Sequence, residues 1–210
     1  MGECRRPTRM GFYRDRVLPH LINLAMRNDQ LVPYRKRTLA LAYGRVLEIG
    51  IGSGLNLCFY TDLVTELLGL DPHPKLLTMA SVKRSALKPT LIEGSAEALP
   101  LKDSSVDTVV TTWVLCSIPN VAAALAEAHR VVKPSGQFLF VEHGLAANES
   151  IERWQHLMTP AWKRLAGGCH LDRPISELIG QAGFEITKMA TSYMGPKPMT
   201  FTYEGTARPV

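Results

Sequence analysis

The sequence predicts an α/β domain with a doubly wound, seven-stranded sheet. The sheet is expected to be mostly parallel with an antiparallel last strand, and to carry helices on both faces. Three observations predict it. Short β-branched and apolar runs alternate with segments of helical spacing from Arg45 onward, the pattern of βα units that build a parallel sheet. The first such run ends in Gly50-Ile-Gly52-Ser-Gly54, a tight loop at a strand-to-helix junction. The last two runs have no helix between them, which predicts an antiparallel pair. With 210 residues, 46% apolar and 20% charged, the chain suits one domain with a substantial core.

The elements follow in order. Phe12–Met26 has helical spacing, with Phe12, Val17, Leu21 and Ala25 on one broad face and a break expected near Pro19. Residues 34–43 form a second helical segment. Strands are predicted at Arg45–Ile49, Glu66–Leu70, Thr90–Glu93, Val106–Thr111 and Gln137–Glu142. Helices are predicted at Leu55–Leu63, Pro74–Leu87 and Val121–Val131, with Pro134-Ser-Gly136 as a turn. Residues 145–174 break the alternation and hold Trp154, Trp162, His156, His170 and Gly167-Gly168. Helix Ile175–Ala182 and strands Phe184–Ala190 and Met199–Ala207 complete the chain. The organisation is therefore a basic N-terminal helical cap over residues 1–40 and one domain over 41–210, with an insertion at about 145–174 on the ligand side.

Charge is uneven. The formal net charge is +5, yet the segment up to Arg45 has ten Lys and Arg against three Asp and Glu. This is read first as a solvated basic face, and second as attraction to an anionic membrane surface or acidic ligand. No nucleic-acid motif or aromatic interleaving accompanies it, so nucleic acid is not an expected partner. Cys4, Cys58, Cys116 and Cys169 lie far apart and spell neither a disulfide framework nor a zinc motif. Reduced thiols in the cytoplasm are the simplest account. No apolar run is long enough for a transmembrane helix or has the form of a signal peptide.

The strongest signal is Val46-Leu-Glu48-Ile-Gly50-Ile-Gly52-Ser-Gly54. Glycines permit positive φ and close approach of a ligand to backbone, and the N–H groups of a following helix attract a carboxylate or phosphate. Neither frame of the loop completes the dinucleotide pattern GxGxxG. Asp71, with Pro72 after it, ends the second strand 21 residues after Gly50, where an acid accepts ribose hydroxyls. Glu93-Gly-Ser95-Ala96-Glu97, then Ser104-Ser-Val-Asp107 with Thr111-Thr112-Trp-Val-Leu115-Cys116, then His129-Arg-Val-Val-Lys133-Pro-Ser-Gly136 come in order behind it.

Over residues 40–145 these motifs resemble the class I methyltransferases that use S-adenosylmethionine (SAM), enzymes of Rossmann-like fold. The resemblance implies SAM as cofactor, with Glu48, Gly50, Gly52, Gly54, Asp71 and Pro72 on its amino-acid and ribose parts. It places Ser95 and Ala96 at the adenine, although the family often has Asp at the Ser95 position. Thr112 and Leu115 would flank the cofactor. Val114-Leu-Cys116-Ser, Val141-Glu-His143, Thr159-Pro-Ala-Trp162 and Gly168-Cys-His170-Leu narrow it further. They resemble animal thiol methyltransferases, bacterial phosphatidylethanolamine N-methyltransferases and quinone C-methyltransferases. The membrane anchor of the animal proteins is not expected here, but the basic, amphipathic start is expected to touch lipid reversibly.

A sulfonium favours aromatic faces, and Tyr13, Tyr34 and Trp113 are candidates for that contact. Tyr13, Cys116, His143, Trp162 and His170 are the candidate acceptor contacts. His143, at the end of the fifth strand, either takes a proton from the acceptor or shapes the site. Cys169-His170 alone gives too few ligands for zinc, so no metal is expected, and Cys58 is expected to be buried. The predicted activity is methyl transfer to a small-molecule or lipid-like acceptor, a thiol or an amine first, by a monomer or weak dimer. The alternative is a non-catalytic SAM- or nucleotide-binding module. Fold does not separate the two.

Overall fold

A computed structural model describes residues 17–195 and 197–210. Its sheet has seven strands: β1 (Gly44–Ile49), β2 (Val64–Asp71), β3 (Thr90–Glu93), β4 (Val106–Thr112), β5 (Val132–His143), β6 (Phe184–Tyr193) and β7 (Phe201–Pro209). Their spatial order is β3-β2-β1-β4-β5-β7-β6. All neighbours up to β5 are parallel, and β7 runs antiparallel between β5 and β6. The chain leaves β1 toward β2 and β3, then returns to β4 on β1's other side. Ligands bind at such a reversal, beyond the carboxyl ends of the strands.

Consecutive core residues take opposite faces, as a period of two requires. Leu47, Leu68, Val109 and Phe138 enter one cluster, while Val46, Leu67, Val110 and Leu139 enter the other. Both faces are buried, so the central strands read as continuous apolar runs rather than alternating ones. Each such buried Leu or Val contributes roughly 1.5–3 kcal/mol of transfer free energy.

Six helices and a short 3₁₀ turn (Asp29–Leu31) flank the sheet among the described residues: α1 (Leu18–Ala25), α2 (Val32–Leu39), α3 (Pro74–Ser81), α4 (Val121–Val131), α5 (Glu149–Leu165) and α6 (Ile175–Gln181). On α4, Ala124, Leu125, Ala128 and Val131 are buried at helical spacing, and the Asn120 side chain accepts the Ala123 N–H at its start. Pro19 sits in the first turn of α1, where its missing N–H costs nothing. The break expected there is instead a helix start.

Residues 145–174 contain the longest helix, α5. Asn148 caps it by accepting from Ser150 and Ile151, with Glu149 and Glu152 in its first turn and Lys163 and Arg164 in its last. Those charges match the helix dipole. Gln155 on α5 is fully buried; it accepts the Ala146 N–H and donates to the Gly144 and Pro198 carbonyls. That residue sews α5 to the end of β5.

Three local expectations are corrected. Leu55–Leu63 is a run of turns, not a helix. Its bonds are i to i+3, Leu57 N–H to Gly54 and Phe59 N–H to Asn56, and the Asn56 side chain turns inward to fixed partners. Cys58 on this run is exposed. Pro134-Ser-Gly136 lies inside β5, where the pairing with β4 jumps from Val106–Val132 to Thr108–Gln137. The turn residues are thus absorbed as a bulge.

Candidate cofactor and acceptor site

A cavity of about 250 Å³ opens at the carboxyl ends of β1, β2 and β4. Glu48, Gly50 and Gly52 line it from β1 and the glycine loop; Asp71 and Pro72 from the end of β2; Ser95 and Ala96 from the loop after β3; Thr112 from the end of β4. Eight predicted cofactor residues therefore meet at one opening. The helix α1 closes it from above with Ile22, Asn23 and Met26, and Asn23 Oδ1 accepts the Ser53 hydroxyl at 2.6 Å.

The loop is already internally bonded. The Gly50 and Ile51 N–H groups both donate to the Leu70 carbonyl, Gly54 donates to Ile51, and Gly52 donates to Asp71 Oδ2 at 3.0 Å. Asp71 Oδ1 accepts the His73 N–H at 2.8 Å. Burial pushes the Asp71 carboxyl above its ordinary range, while the His73 and Gly52 N–H groups pull it back. Each carboxylate oxygen keeps further lone-pair capacity. Gly54 is outside the lining: a Cβ there would meet Leu57 and Ala80, so this glycine lets the loop pack on α3.

Beneath the loop lies a buried polar network that sequence reasoning missed. Asn56 Nδ2 donates to Glu48 Oε1 (2.7 Å) and Thr112 Oγ1 (2.9 Å), and Tyr60 donates to Glu48 Oε2 (2.8 Å). Asn56 Oδ1 accepts from Arg35 at 2.6 Å, and Arg35 also donates to the Met26 carbonyl. The guanidinium sits 4.8 Å over the Trp113 ring. Burial raises Glu48 to about 7, against the hydrogen bonds from Tyr60 and Asn56 and the charge of Arg35. Arg35 is 4% exposed and lines the cavity. In the sequence it is one of ten N-terminal cations, with nothing local to mark it.

Trp113 follows β4 at φ +52°, a left-handed conformation that is costly for a bulky residue and that clusters at functional sites. Its N–H donates to Val141 at 2.7 Å, and its ring lines the cavity edge-on to Tyr34, 6.5 Å away. The Tyr34 hydroxyl is within 2.7 Å of Ser192 Oγ.

The remaining predicted residues form the wall behind this cavity. Leu115 and Cys116 are buried in the turn after β4, and neither lines the cavity, though Ser117 and Ile118 do. Three groups pin that turn: Arg173 donates to the Leu115 and Ile118 carbonyls, Glu142 Oε2 accepts the Leu115 N–H, and the His170 N–H donates to Cys116. Burial, then the neighbouring Cys116, pushes Glu142 well above the carboxylate range. His170 keeps Nδ1 3.1 Å from the Cys116 carbonyl oxygen. Trp162 lies on α5 with its indole against Cys169. His143 is buried behind the same wall, facing Cys116 and Cys169 rather than the cavity. Tyr13 lies outside the described residues.

Residues 47–140 match the model of a methyltransferase domain. The chain is 36% identical over 145 residues to the thiol S-methyltransferase TMT1B of Rattus norvegicus, covering 66% of this chain and 59% of that protein. It is 33% identical over 116 residues to a phosphatidylethanolamine N-methyltransferase of Cereibacter sphaeroides, covering 52% and 57%. The chain thus spans about six-tenths of the curated relatives it matches. In fold it superposes on an S-adenosylmethionine dependent methyltransferase of Mesorhizobium loti with a TM-score of 0.66, over 87% of this chain and 99% of that one, at 17% identity. Residues 47–140 thus carry the signature of a methyltransferase domain, set on a Rossmann-like fold shared with a solved SAM-dependent methyltransferase, and the sequence matches include thiol and phosphatidylethanolamine methyltransferases.

Proposed function

We propose that this protein transfers the methyl group of SAM to a small-molecule or lipid-like acceptor, with a thiol favoured and an amine next. The observation that carries the proposal is the convergence of the glycine loop, Asp71, Glu48 and Arg35 on one cavity beside the β1/β4 reversal. When bound, SAM supplies an electrophilic methyl on a sulfonium. Asp71 receives the ribose hydroxyls, and Ser95 and Ala96 meet the adenine. The loop amides are mostly engaged with Leu70, Ile51 and Asp71. The amino-acid end therefore meets Glu48 and Arg35, an acid and a base matching an ammonium and a carboxylate. Trp113 offers its face near the sulfonium.

The acceptor enters beside Ser117, Ile118 and Gly167, which line the cavity on the side of α5. Much of the acceleration comes from holding the lone pair in line with the methyl. A thiol ionises within about two units of neutrality, so its transfer does not require a base inside the cavity. Among the described residues no helix is long and apolar enough to cross a membrane. Reversible contact with a lipid surface through the basic N-terminal region belongs to the same proposal, and the exposed Leu21 and Leu24 on α1 support it.

A panel of thiols, amines, phenols and phospholipids with methyl-labelled SAM tests the activity. Label is expected in a thiol or amine product. Saturable SAM binding with no transfer to any acceptor would overturn the enzyme reading in favour of a binding module.

Glu48 gives the cofactor step a pH signature. Its carboxyl titrates at about 7 in the folded protein against an ordinary 4.5. A cationic ammonium beside it favours the ionised form, so binding releases a proton below that value. SAM affinity is expected to rise about tenfold between pH 6 and pH 7.5, and to lose this dependence in Glu48→Gln. Folding stability changes in the opposite sense. The unfolded chain gives up this proton first, so stability falls as pH rises from 4.5 to 7. Calorimetric titration across that range checks the first sign and thermal melts check the second.

A further inference from the structure

We propose that Cys116, His143 and Cys169 form a binding site for one thiophilic divalent cation of the zinc(II) class, set in the wall behind the cofactor cavity. The three residues come from separate elements: the turn after β4, the end of β5 and the loop after α5. Their ligand atoms, two Sγ and an imidazole nitrogen, all lie within 4.8 Å of one another. Around zinc, with bonds of about 2.3 Å to sulfur and 2.0–2.1 Å to nitrogen, a tetrahedral set stands roughly 3.3–3.8 Å apart. Contraction by about 1 Å closes the gap, within reach of side-chain rotation.

An independent observation points to a missing occupant. His143 is only 8% exposed, neither Nδ1 nor Nε2 has a partner at hydrogen-bond geometry, and the thiol of Cys116 is the polar group that acts on it. A buried imidazole without well-formed hydrogen bonds is costly, and a metal bond to one nitrogen removes that cost. Both cysteines are free thiols. The cradle is held without the cation: the His170 N–H bonds the Cys116 carbonyl, and Arg173 clamps the carbonyls on either side of Cys116. Sequence spacing hides the set because its histidine is 27 residues from one cysteine and 26 from the other.

Coordination releases one proton from each thiol to solvent and takes the imidazole neutral. Three protein ligands leave a fourth position, the arrangement of sites that accept water or substrate. Ser117, next to Cys116, and Gly167, two residues before Cys169, line the cavity, so the site lies in the wall on the acceptor side. A cation held there would supply Lewis acidity that favours the thiolate form of a thiol ligand at the fourth position; the metal site itself does not depend on the thiol-acceptor reading.

The full chain, stripped of metal and kept reduced with a phosphine, is titrated with cobalt(II) and then zinc(II). Expected are saturation at one equivalent, thiolate-to-cobalt charge transfer in the near ultraviolet, intense tetrahedral d–d bands, and displacement by zinc. Cys169→Ser and His143→Ala should each weaken binding by more than about 100-fold, beyond what loss of an outer partner costs. Cys58→Ser, on an exposed turn, should bind as the parent does. Circular dichroism of each variant separates loss of a ligand from loss of fold. A pale octahedral spectrum without charge transfer, or binding that survives both ligand variants, overturns the site. Adding a small thiol to the cobalt form should shift the d–d bands. No shift with binding intact overturns the open position alone, and failure of the acceptor panel leaves these metal readings unaffected.

Discussion

Gly50→Ala is expected to lower the melting temperature by about 5–15 °C and to reduce SAM affinity beyond detection in a routine titration. Gly50 sits at φ +73°, a region that costs a residue with a Cβ roughly 1–2 kcal/mol. The added Cβ would also stand 2.4 Å from Val114 Cγ2 and 2.8 Å from Val114 Cβ. Valine is stiff at χ1, so relief requires movement of backbone beside Trp113, whose left-handed φ already holds that turn in a costly shape. Overpacking of this kind costs about 1–3 kcal/mol, and each kcal/mol shifts a domain of this size by roughly 2–4 °C. Because both Gly50 and Val114 line the cavity, the same shift distorts the cofactor site. Gly52→Ala is the informative comparison. Its φ is +55°, but the nearest atom to an added Cβ is 3.9 Å away. That variant should lose only the conformational term and remain folded. A Gly50→Ala protein that melts within 2 °C of the parent, by the scale above, would show that the β1–β4 gap is not closed as described.

What could be read in advance follows from how locally each feature is encoded. The central strands declare themselves because both sheet faces are buried, so β-branched residues run without interruption through Thr108–Thr112. The glycine loop and Asp71 are legible because their job is done by backbone conformation and by position at a strand end. The run from Leu55 to Leu63 misleads for the opposite reason. Its composition permits a helix, but Asn56 is recruited by Glu48, Thr112 and Arg35, and these distant partners decide the local path. Arg35 is illegible in principle: only the packing of α2 on β5 and β7, which brings the guanidinium to Asn56 and Trp113, turns one cation among many into a buried one. Cys116, His143 and Cys169 share this property. Each looks like a lone residue until β4, β5 and the loop after α5 are assembled.

Asp71→Ala should weaken SAM binding by about 1–3 kcal/mol, a 5- to 150-fold loss in affinity. Two separate effects contribute, and they can be measured apart. In the folded chain each Asp71 oxygen already accepts a backbone N–H, from Gly52 and from His73. Alanine leaves both donors without that partner at a residue only 5% exposed, so the empty loop itself loosens and the melting temperature falls. The ribose then loses a charged acceptor as well. An analogue of the demethylated cofactor lacking the ribose 2′-hydroxyl isolates the second effect. In the parent protein the analogue should bind more weakly than its hydroxylated counterpart. In Asp71→Ala that difference should shrink toward zero, and the coupling between side chain and hydroxyl is what the double-mutant cycle reports. Asp71→Asn retains one carbonyl oxygen, so it should recover part of the loop's stability while restoring less of the discrimination. If the alanine variant binds both compounds as the parent does, the sugar does not lie against the end of β2. Equal loss for the two compounds would assign Asp71 to the loop alone.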